Sequence, residues 1–324
     1  MLAKQAIYQL IYQPTERSIW LNIIYLSSYI VTSEHKFDTY TAYRVKILSK
    51  SISWGAISVI NAMPGGIGAV IGTELTTSSE FILGGDSRIV DIISDRSEPT
   101  LLAELCVSAS YALAGVDEPE GWHLTTSSEM PPSKGLKSSS SACNAIISAV
   151  FKEIGFITDP LTTIKLGVEC ARQAKVTRTG SFDDACGCYY GGYIMTDNTK
   201  DSIIFIRDVP KYDVVIHIPE QKIRKESLDI EPLKRAAVEQ RKAIELSKTD
   251  FLSAMTLNGR IIAKASGIDN SVAEMAMKAG ALAAGISGSG PSTAILLEYN
   301  GTEKFLKQTG LENVIVTKTR KLTK

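Results

Sequence analysis

The chain has 324 residues with 35 basic and 35 acidic side chains, so its formal net charge is zero. This balance argues against a nucleic-acid-binding protein or a polybasic membrane-surface protein. Hydrophobic residues make up 44% and charged residues 22%, which is typical of a globular protein, and the length suits two domains. Five cysteines without an evident secretory signal indicate reduced thiols and a cytoplasmic location.

Residues 1–50 differ from the rest of the chain, because they are rich in aromatic and β-branched residues and contain no glycine. The apolar stretch Ile19–Val31 is too short for a membrane span. The segment also lacks the basic start and cleavage site of a signal peptide. We interpret it either as an added strand or helix, or as sequence translated upstream of the true start.

From residue 51 the pattern is that of mixed helices and strands. Ile57–Ile60 and Val70–Leu75 are predicted as strands on either side of the glycine-rich segment Met63–Ala69, which is either a substrate-side loop or a plain turn. Thr100–Ala114 has helical spacing, and His123–Ser128 is predicted as a strand.

The next stretch, which we call the phosphate segment, joins a rigid turn to a helix. Two prolines fix their own φ, a glycine allows close backbone approach, and four serines precede apolar residues at helical spacing. The helix is predicted to end at Gly155. A helix start offers unpaired N–H groups to an anion, so a phosphate cradle is expected, with a serine-rich N-cap as the alternative. The segment consists of Pro131, Pro132, Ser133, Lys134, Gly135, Leu136, Lys137, Ser138, Ser139, Ser140 and Ser141.

The phosphate segment is not the common nucleotide P-loop. That loop requires glycine directly before its lysine and five residues earlier than that glycine. Leu136 and Pro131 occupy those positions.

Two consecutive carboxylates follow the next predicted helix, Pro160–Lys175. Asp183 and Asp184 come after a Gly-Ser turn and before Ala185–Gly192, which we predict to be a buried strand and its turn. Carboxylates at the mouth of a buried element are costly unless they are paired, capped or used. They either cap a turn or face the phosphate segment, where one of them orients or deprotonates an acceptor hydroxyl.

The remaining third of the chain alternates strands and helices after a junction near Pro210. The last signature is a glycine-rich segment, Gly285–Ser292, which we call the glycine loop. Its three glycines, Gly285, Gly288 and Gly290, permit close backbone approach to a ligand. Ile268–Asn270 is predicted to be an N-cap rather than a catalytic segment. The other predicted elements are the strands Ile203–Arg207, Val214–Ile218 and Thr293–Leu297 and the helices Leu228–Lys248, Phe251–Ala265 and Ser271–Gly280.

These motifs carry a family resemblance. The Pro-x-x-x-Gly-Leu-x-Ser-Ser pattern of the phosphate segment and the Gly-Ser-Gly-Pro-Ser pattern of the glycine loop resemble the GHMP kinases. Gly-Leu-Lys-Ser-Ser-Ser, Thr179–Cys186 and Met255–Gly259 are similar to archaeal shikimate kinases in particular. The resemblance covers roughly Ile52 to Thr319, which is why we favour upstream translation for residues 1–50.

The resemblance implies an α+β, two-domain GHMP kinase fold, with a ribosomal protein S5 domain 2-like domain over 51–210 and a ferredoxin-like domain over 211–324. It also implies phosphoryl transfer from ATP to the 3-hydroxyl of shikimate, in the pathway to chorismate and the aromatic amino acids. The alternatives are homoserine or mevalonate kinase, or a non-catalytic ATP-binding module. The acceptor-binding residues and the oligomeric state stay open.

The resemblance also implies roles for individual residues. The phosphate segment and Gly288, Ser289 and Gly290 bind ATP, and Ser139 with Glu169 ligates Mg²⁺. Asp183 aligns best with the catalytic aspartate, and Asp184 is the second choice. Lys137 stabilises the transferring charge or is a solvated lysine. Arg178 either binds the shikimate carboxylate or pairs with the two aspartates.

Overall fold

The computed structural model describes residues 49–177, 179–220 and 229–323. The expectations for the first 48 residues therefore lie outside the described residues. None of the helices in the described ranges combines the length and the apolar character that a membrane span requires.

The strands of the described residues run as follows: β1 Ser49–Ile60, β2 Ile67–Leu83, β3 Arg88–Ile92, β4 Trp122–Ser128, β5 Tyr193–Asp197, β6 Ser202–Arg207, β7 Asp213–His217, β8 Ala283–Ile286, β9 Thr293–Leu297 and β10 Val314–Lys318. The helices run as follows: α1 Leu101–Ala114, α2 Ser138–Ile154, α3 Pro160–Gln173, α4 Phe182–Tyr190, α5 Ile230–Ser247, α6 Phe251–Ser266, α7 Ser271–Lys278 and α8 Thr302–Thr309.

The first sheet is organised around β2, whose 17 residues pair with three strands. β1 runs antiparallel to it along one edge, while β5 and β4 share the other edge, each against a different half of β2. β3 and β6 complete this sheet of six strands within the described residues. Helices α2 and α4 both contact β1 and β2, which brings the start of α2 close to the start of α4.

The predicted strand at Ala185–Gly192 is wrong, because these residues belong to helix α4 and the turn after it. A short run of small apolar residues has no periodicity that separates a buried strand from a buried helix. A Cβ atom at Gly187 would lie 2.3 Å from Val70 Cγ2, so glycine lets α4 pack directly against β2. Asp183 and Asp184 consequently stand in the first turn of a helix, near its positive end.

The second sheet has the order β10-β7-β9-β8 and is antiparallel throughout. The three predicted helices of this region are confirmed as α5, α6 and α7, except that Leu228 lies outside the described residues. Asn270 is the N-cap of α7, as predicted, although Asp269 is the residue whose carboxylate accepts from the Ser271 N–H at 2.9 Å.

The mixed α+β architecture is as expected, and the two sheets share one hydrophobic core. Ile57 and Met195 of the first sheet and Leu296 of the second belong to the same buried cluster. The division at residue 210 stays a prediction. The end of the chain crosses that division, because the Arg320 N–H donates to the Gly72 carbonyl of β2 at 2.8 Å.

Candidate active site

The phosphate segment leads into α2 through a left-handed residue. Lys137 is the N-cap of α2 with φ 69° and ψ 23°, and Ser138 is the first helical residue. Left-handed backbone is costly for a residue with a side chain, so glycine is the usual occupant. The Lys137 side chain is only 4% exposed, so its ammonium group lies inside the molecule.

The phosphate segment and the glycine loop are in direct contact. The Ser287 hydroxyl donates to the Gly135 carbonyl at 2.9 Å. Gly135 has φ +77°, and a Cβ atom there would lie 2.1 Å from the Ser287 carbonyl oxygen. Glycine is therefore required at this position both for its backbone conformation and for the close approach of the two loops.

A cavity of about 320 Å³ opens beside these loops and the start of α4. Twelve of the predicted site residues line it: Pro132, Ser133, Gly135, Leu136, Lys137, Ser138, Ser139, Ser140, Asp183, Asp184, Gly288 and Ser289. The structure thus gathers most of the predicted site around one space. Lys137 is the one cationic residue of the described ranges that lines it.

Five predicted site residues, all described, do not line the cavity: Pro131, Lys134, Ser141, Gly290 and Glu169. The Lys134 ammonium instead donates to the backbone carbonyls of Pro219 and Glu220 across the molecule. Ser141 is buried inside α2, and the Gly290 N–H closes a turn on Ser287.

The carboxylate of Glu169 lies on the exposed face of α3, because the neighbours Val168 and Cys170 take the buried face. It accepts a hydrogen bond from Gln173 and lies 3.8 Å from Arg172. The structure therefore does not bring Glu169 to the phosphate segment. Arg178 lies outside the described residues.

A buried ion pair forms part of the cavity wall. Lys137 Nζ lies 2.8 Å from Asp184 Oδ1, and the side chains are 4% and 11% exposed. Lys137 Nζ also donates to Ser58 Oγ at 2.8 Å, and Ser58 Oγ accepts from the Gly288 N–H at 3.0 Å. Ser58, at the end of β1, therefore joins the lysine of one loop to the backbone of the other.

Asp183 is enclosed more completely than Asp184. Its Oδ1 accepts from Asn198 Nδ2 at 2.7 Å, and its backbone N–H donates to Asn198 Oδ1 at 3.1 Å. Burial raises the pKa of Asp183 to about 6, with a further rise from the Asp184 charge, while Lys137 and the Asn198 hydrogen bond act in the opposite direction. A carboxyl group of this kind is ionised at neutral pH but binds a proton more readily than an ordinary aspartate.

Sequence reasoning missed several cavity residues. Ser58 and Asn61 lie where β1 ends, and Ser97 and Glu98 lie in the connection before α1. The Asn61 amide donates to the Gly288 carbonyl at 2.5 Å. In the sequence, only the segment 63–69, predicted as a turn or a substrate-side loop, pointed to this part of the cavity. Met63 does line the cavity.

Comparison with known proteins identifies the fold. The model of the GHMP kinases N terminal domain matches residues 102–192. Among solved structures, the mevalonate kinase of Methanococcus jannaschii superposes with a TM-score of 0.71 at 16% identity, covering 87% of this chain and 100% of that one. A homoserine kinase from Cytophaga hutchinsonii superposes with a TM-score of 0.67 at 18% identity, covering 89% and 98%. These similarities establish the fold.

Curated relatives are considerably more similar in sequence. The shikimate kinase of Methanobrevibacter smithii is 33% identical over 259 residues, which is 78% of this chain and 89% of that protein. The shikimate kinase of Methanosarcina acetivorans is 37% identical over 249 residues, which is 76% of this chain and 84% of that protein. The chain therefore belongs to the family of the archaeal shikimate kinases, within the GHMP kinase superfamily.

Proposed function

We propose that this protein is a shikimate kinase, which transfers the γ-phosphoryl group of ATP to the 3-hydroxyl of shikimate and yields 3-phosphoshikimate and ADP. The observation that carries this proposal is the meeting, in one cavity, of a serine-rich helix N-terminus with Lys137, Asp184 and Asp183. The family membership supports the same activity, because the curated relatives are shikimate kinases.

The phosphate segment supplies the site for the ATP phosphates. The first turn of α2 presents N–H groups without helical partners, and the hydroxyls of Ser138, Ser139 and Ser140 line the same cavity. The Lys137 ammonium lies beside these donors and adds a positive charge. Phosphoryl transfer depends mainly on positioning and on stabilising charge, and these groups provide both.

Asp183 is the better candidate for the general base. Asp184 already forms an ion pair with Lys137. Asp183 has a pKa of about 6, which is closer to neutral pH than that of an ordinary aspartate and therefore suits a general base. In the proposed reaction, the shikimate hydroxyl transfers its proton to the Asp183 carboxylate. The hydroxyl oxygen bonds to the γ-phosphorus, and the bond from that phosphorus to the bridging oxygen of ADP breaks.

The cavity also offers donors suited to Mg²⁺. This ion is usually held by one or two carboxylates together with substrate phosphates, rather than by a cage made of protein alone. The described residues contain no cluster of three or more His, Cys, Asp or Glu side chains that holds a metal. The Ser139 hydroxyl and the Glu98 carboxylate, which both line the cavity, would hold the ion. When bound with ATP, Mg²⁺ neutralises negative charge on the phosphates.

An acceptor comparison tests the proposed function. Purified protein with ATP and Mg²⁺ is offered shikimate, homoserine and mevalonate in parallel, and phosphorylated products are identified by ³¹P NMR and mass spectrometry. We expect 3-phosphoshikimate and equimolar ADP with shikimate alone. Phosphorylation of homoserine or mevalonate instead would retain the kinase and exclude this acceptor. ATP binding without any transfer would favour a binding module.

Gly68 is expected to be essential because it faces the proposed base. A Cβ atom at Gly68 would lie 2.3 Å from Asp183 Oδ2 and 2.5 Å from Asp183 Cγ. Gly68→Ala therefore displaces the Asp183 carboxylate, and we expect kcat to fall by about 100-fold or more, the usual effect of a misplacement of about 1 Å. Steady-state kinetics and thermal unfolding measure the effect.

Gly65→Ala is the matched control for this experiment. Gly65 lies in the same glycine-rich segment, just before β2, but its Cβ would meet only the Ala237 Cβ among the described atoms, at an ordinary 3.7 Å. We expect near wild-type kcat for this variant. Equal kcat values in the two alanine variants would show that activity does not depend on the close packing of Gly68 against Asp183.

A further inference from the structure

Asn198, which lies outside helix α4, forms two hydrogen bonds with Asp183. It follows β5 directly, is 3% exposed, and anchors its own backbone N–H on the Gly66 carbonyl at 2.8 Å. Its amide Nδ2 donates to Asp183 Oδ1 at 2.7 Å. Its Oδ1 accepts from the Asp183 N–H at 3.1 Å and from the Thr196 hydroxyl at 2.7 Å.

The orientation of this amide is determined by its partners. A backbone N–H can only donate, so the side of Asn198 that faces the Asp183 N–H must be the oxygen. The Thr196 hydroxyl donates to the same oxygen. The NH₂ group is then left facing the carboxylate, where it is a donor to an acceptor.

Asp183 is thus confined from two directions. Asn198 fixes Oδ1, and the backbone of Gly68 packs against the Oδ2 side without room for a methyl group. A carboxylate in an unrestrained position would sample several rotamers, whereas a general base must lie within hydrogen-bond reach of the hydroxyl it serves.

We propose that Asn198 is a positioning residue that holds the Asp183 carboxylate in its working orientation and supports its ionised form. This role extends the proposed function, because it takes Asp183 as the general base.

The charges around Asp183 give the expected direction of the effect. Asp184 on the same helix raises the pKa of Asp183, and Lys137, at the N-cap of α2, lowers it. The thiols of Cys186 and Cys188 also lie nearby, but burial raises their own pKa values far enough to keep them neutral. The donor of Asn198 lowers the pKa of Asp183, so its loss raises that pKa.

Asn198→Asp is the most specific test, because it keeps the shape of the side chain. The retained oxygen still accepts from the Asp183 N–H and the Thr196 hydroxyl, but a second oxygen, an acceptor, replaces the NH₂ donor that faces the Asp183 carboxylate. We expect the acidic limb of the kcat–pH profile to move upward by at least one pH unit and kcat at pH 7 to fall about tenfold or more. The KM for ATP should change by less than about twofold.

Asp197→Asn is the matched control, since it makes an isosteric exchange at the adjacent residue. The Asp197 carboxylate accepts hydrogen bonds from Thr199 and forms an ion pair with Lys200. We expect this variant to keep the wild-type pH profile, even where it lowers the melting temperature.

A second variant and a direct measurement keep the test decisive. Asn198→Ala removes the donor without adding charge. The Asp183 pKa can also be measured without substrate, by ¹³C NMR titration of the aspartate carboxylates, in which the Asp183 signal is assigned from its absence in Asp183→Asn. We expect a higher pKa in either folded variant. An unchanged pKa and pH profile would overturn the positioning role. Absence of any turnover by the wild type would instead refute the proposed function, while the NMR titration still decides the effect of Asn198.

Discussion

Asp183→Asn is expected to lower kcat for shikimate phosphorylation by about 100-fold to 10,000-fold, the usual contribution of a general base. The amide retains the size of the carboxylate and can still accept from Asn198, so the site should keep its shape. It cannot take the hydroxyl proton at any accessible pH. Single-turnover measurements with ATP and shikimate, which separate chemistry from product release, would give this loss directly.

The same substitution is expected to stabilise the folded protein above pH 6. The pKa of Asp183 is about 6 when folded against an ordinary 3.8, so the unfolded chain loses this proton first. The unfolded state then binds fewer protons between these values, and stability falls as pH rises through that window and stays low above it. The loss is on the order of 3 kcal/mol, because the pKa rises from 3.8 to about 6 and each pKa unit is worth about 1.4 kcal/mol. Asp183→Asn should lack this loss.

Asp184→Asn is expected to have the opposite effect on the stability of the folded protein. This exchange leaves the Lys137 ammonium buried beside a neutral partner. Breaking a buried pair by removing one partner commonly costs about 3–5 kcal/mol. Urea unfolding at pH 5 and pH 8 should therefore show Asp183→Asn gaining stability relative to the wild type at the higher pH and Asp184→Asn losing stability. The opposite order would contradict the assignment of the two carboxylates.

Lys137→Gly is the second change with a large expected effect. Glycine accepts φ 69° without strain, so the backbone at this position should keep its conformation. The substitution removes the ammonium from the cavity, so we expect kcat to fall about 100-fold to 1,000-fold, as for loss of one charge-stabilising donor. The buried Asp184 charge would also lose its partner.

Lys137→Ala separates backbone strain from charge. Alanine removes the same ammonium but keeps a side chain in the left-handed conformation, which costs about 1–2 kcal/mol relative to glycine. We expect equal losses of kcat in the two variants and a higher melting temperature for Lys137→Gly. Adding Asp184→Asn to Lys137→Gly should recover part of the lost stability. Wild-type turnover by Lys137→Gly would show that the lysine has no part in phosphoryl transfer.

The sequence determined those parts of the site whose chemistry is local. The prolines, glycine and serines of the phosphate segment specify a turn followed by a helix start, and the helix does begin at Ser138 and end before Gly155. Asp183 and Asp184 stood out because two carboxylates adjoin a small apolar run. These signals arise among neighbouring residues, where backbone preference acts directly.

Only the tertiary structure decided how these side chains are used. Lys137 lies 79 residues from Ser58 in sequence, and Asp183 lies 15 residues from Asn198, yet each pair is in hydrogen-bond contact. The small-residue run became a helix because β2 offers a surface on which Gly187 packs closely, and Glu169 turned outward because its helix buries the opposite face. Backbone conformation depends mainly on adjacent residues, whereas partners and burial depend on which distant surfaces the sheet brings together.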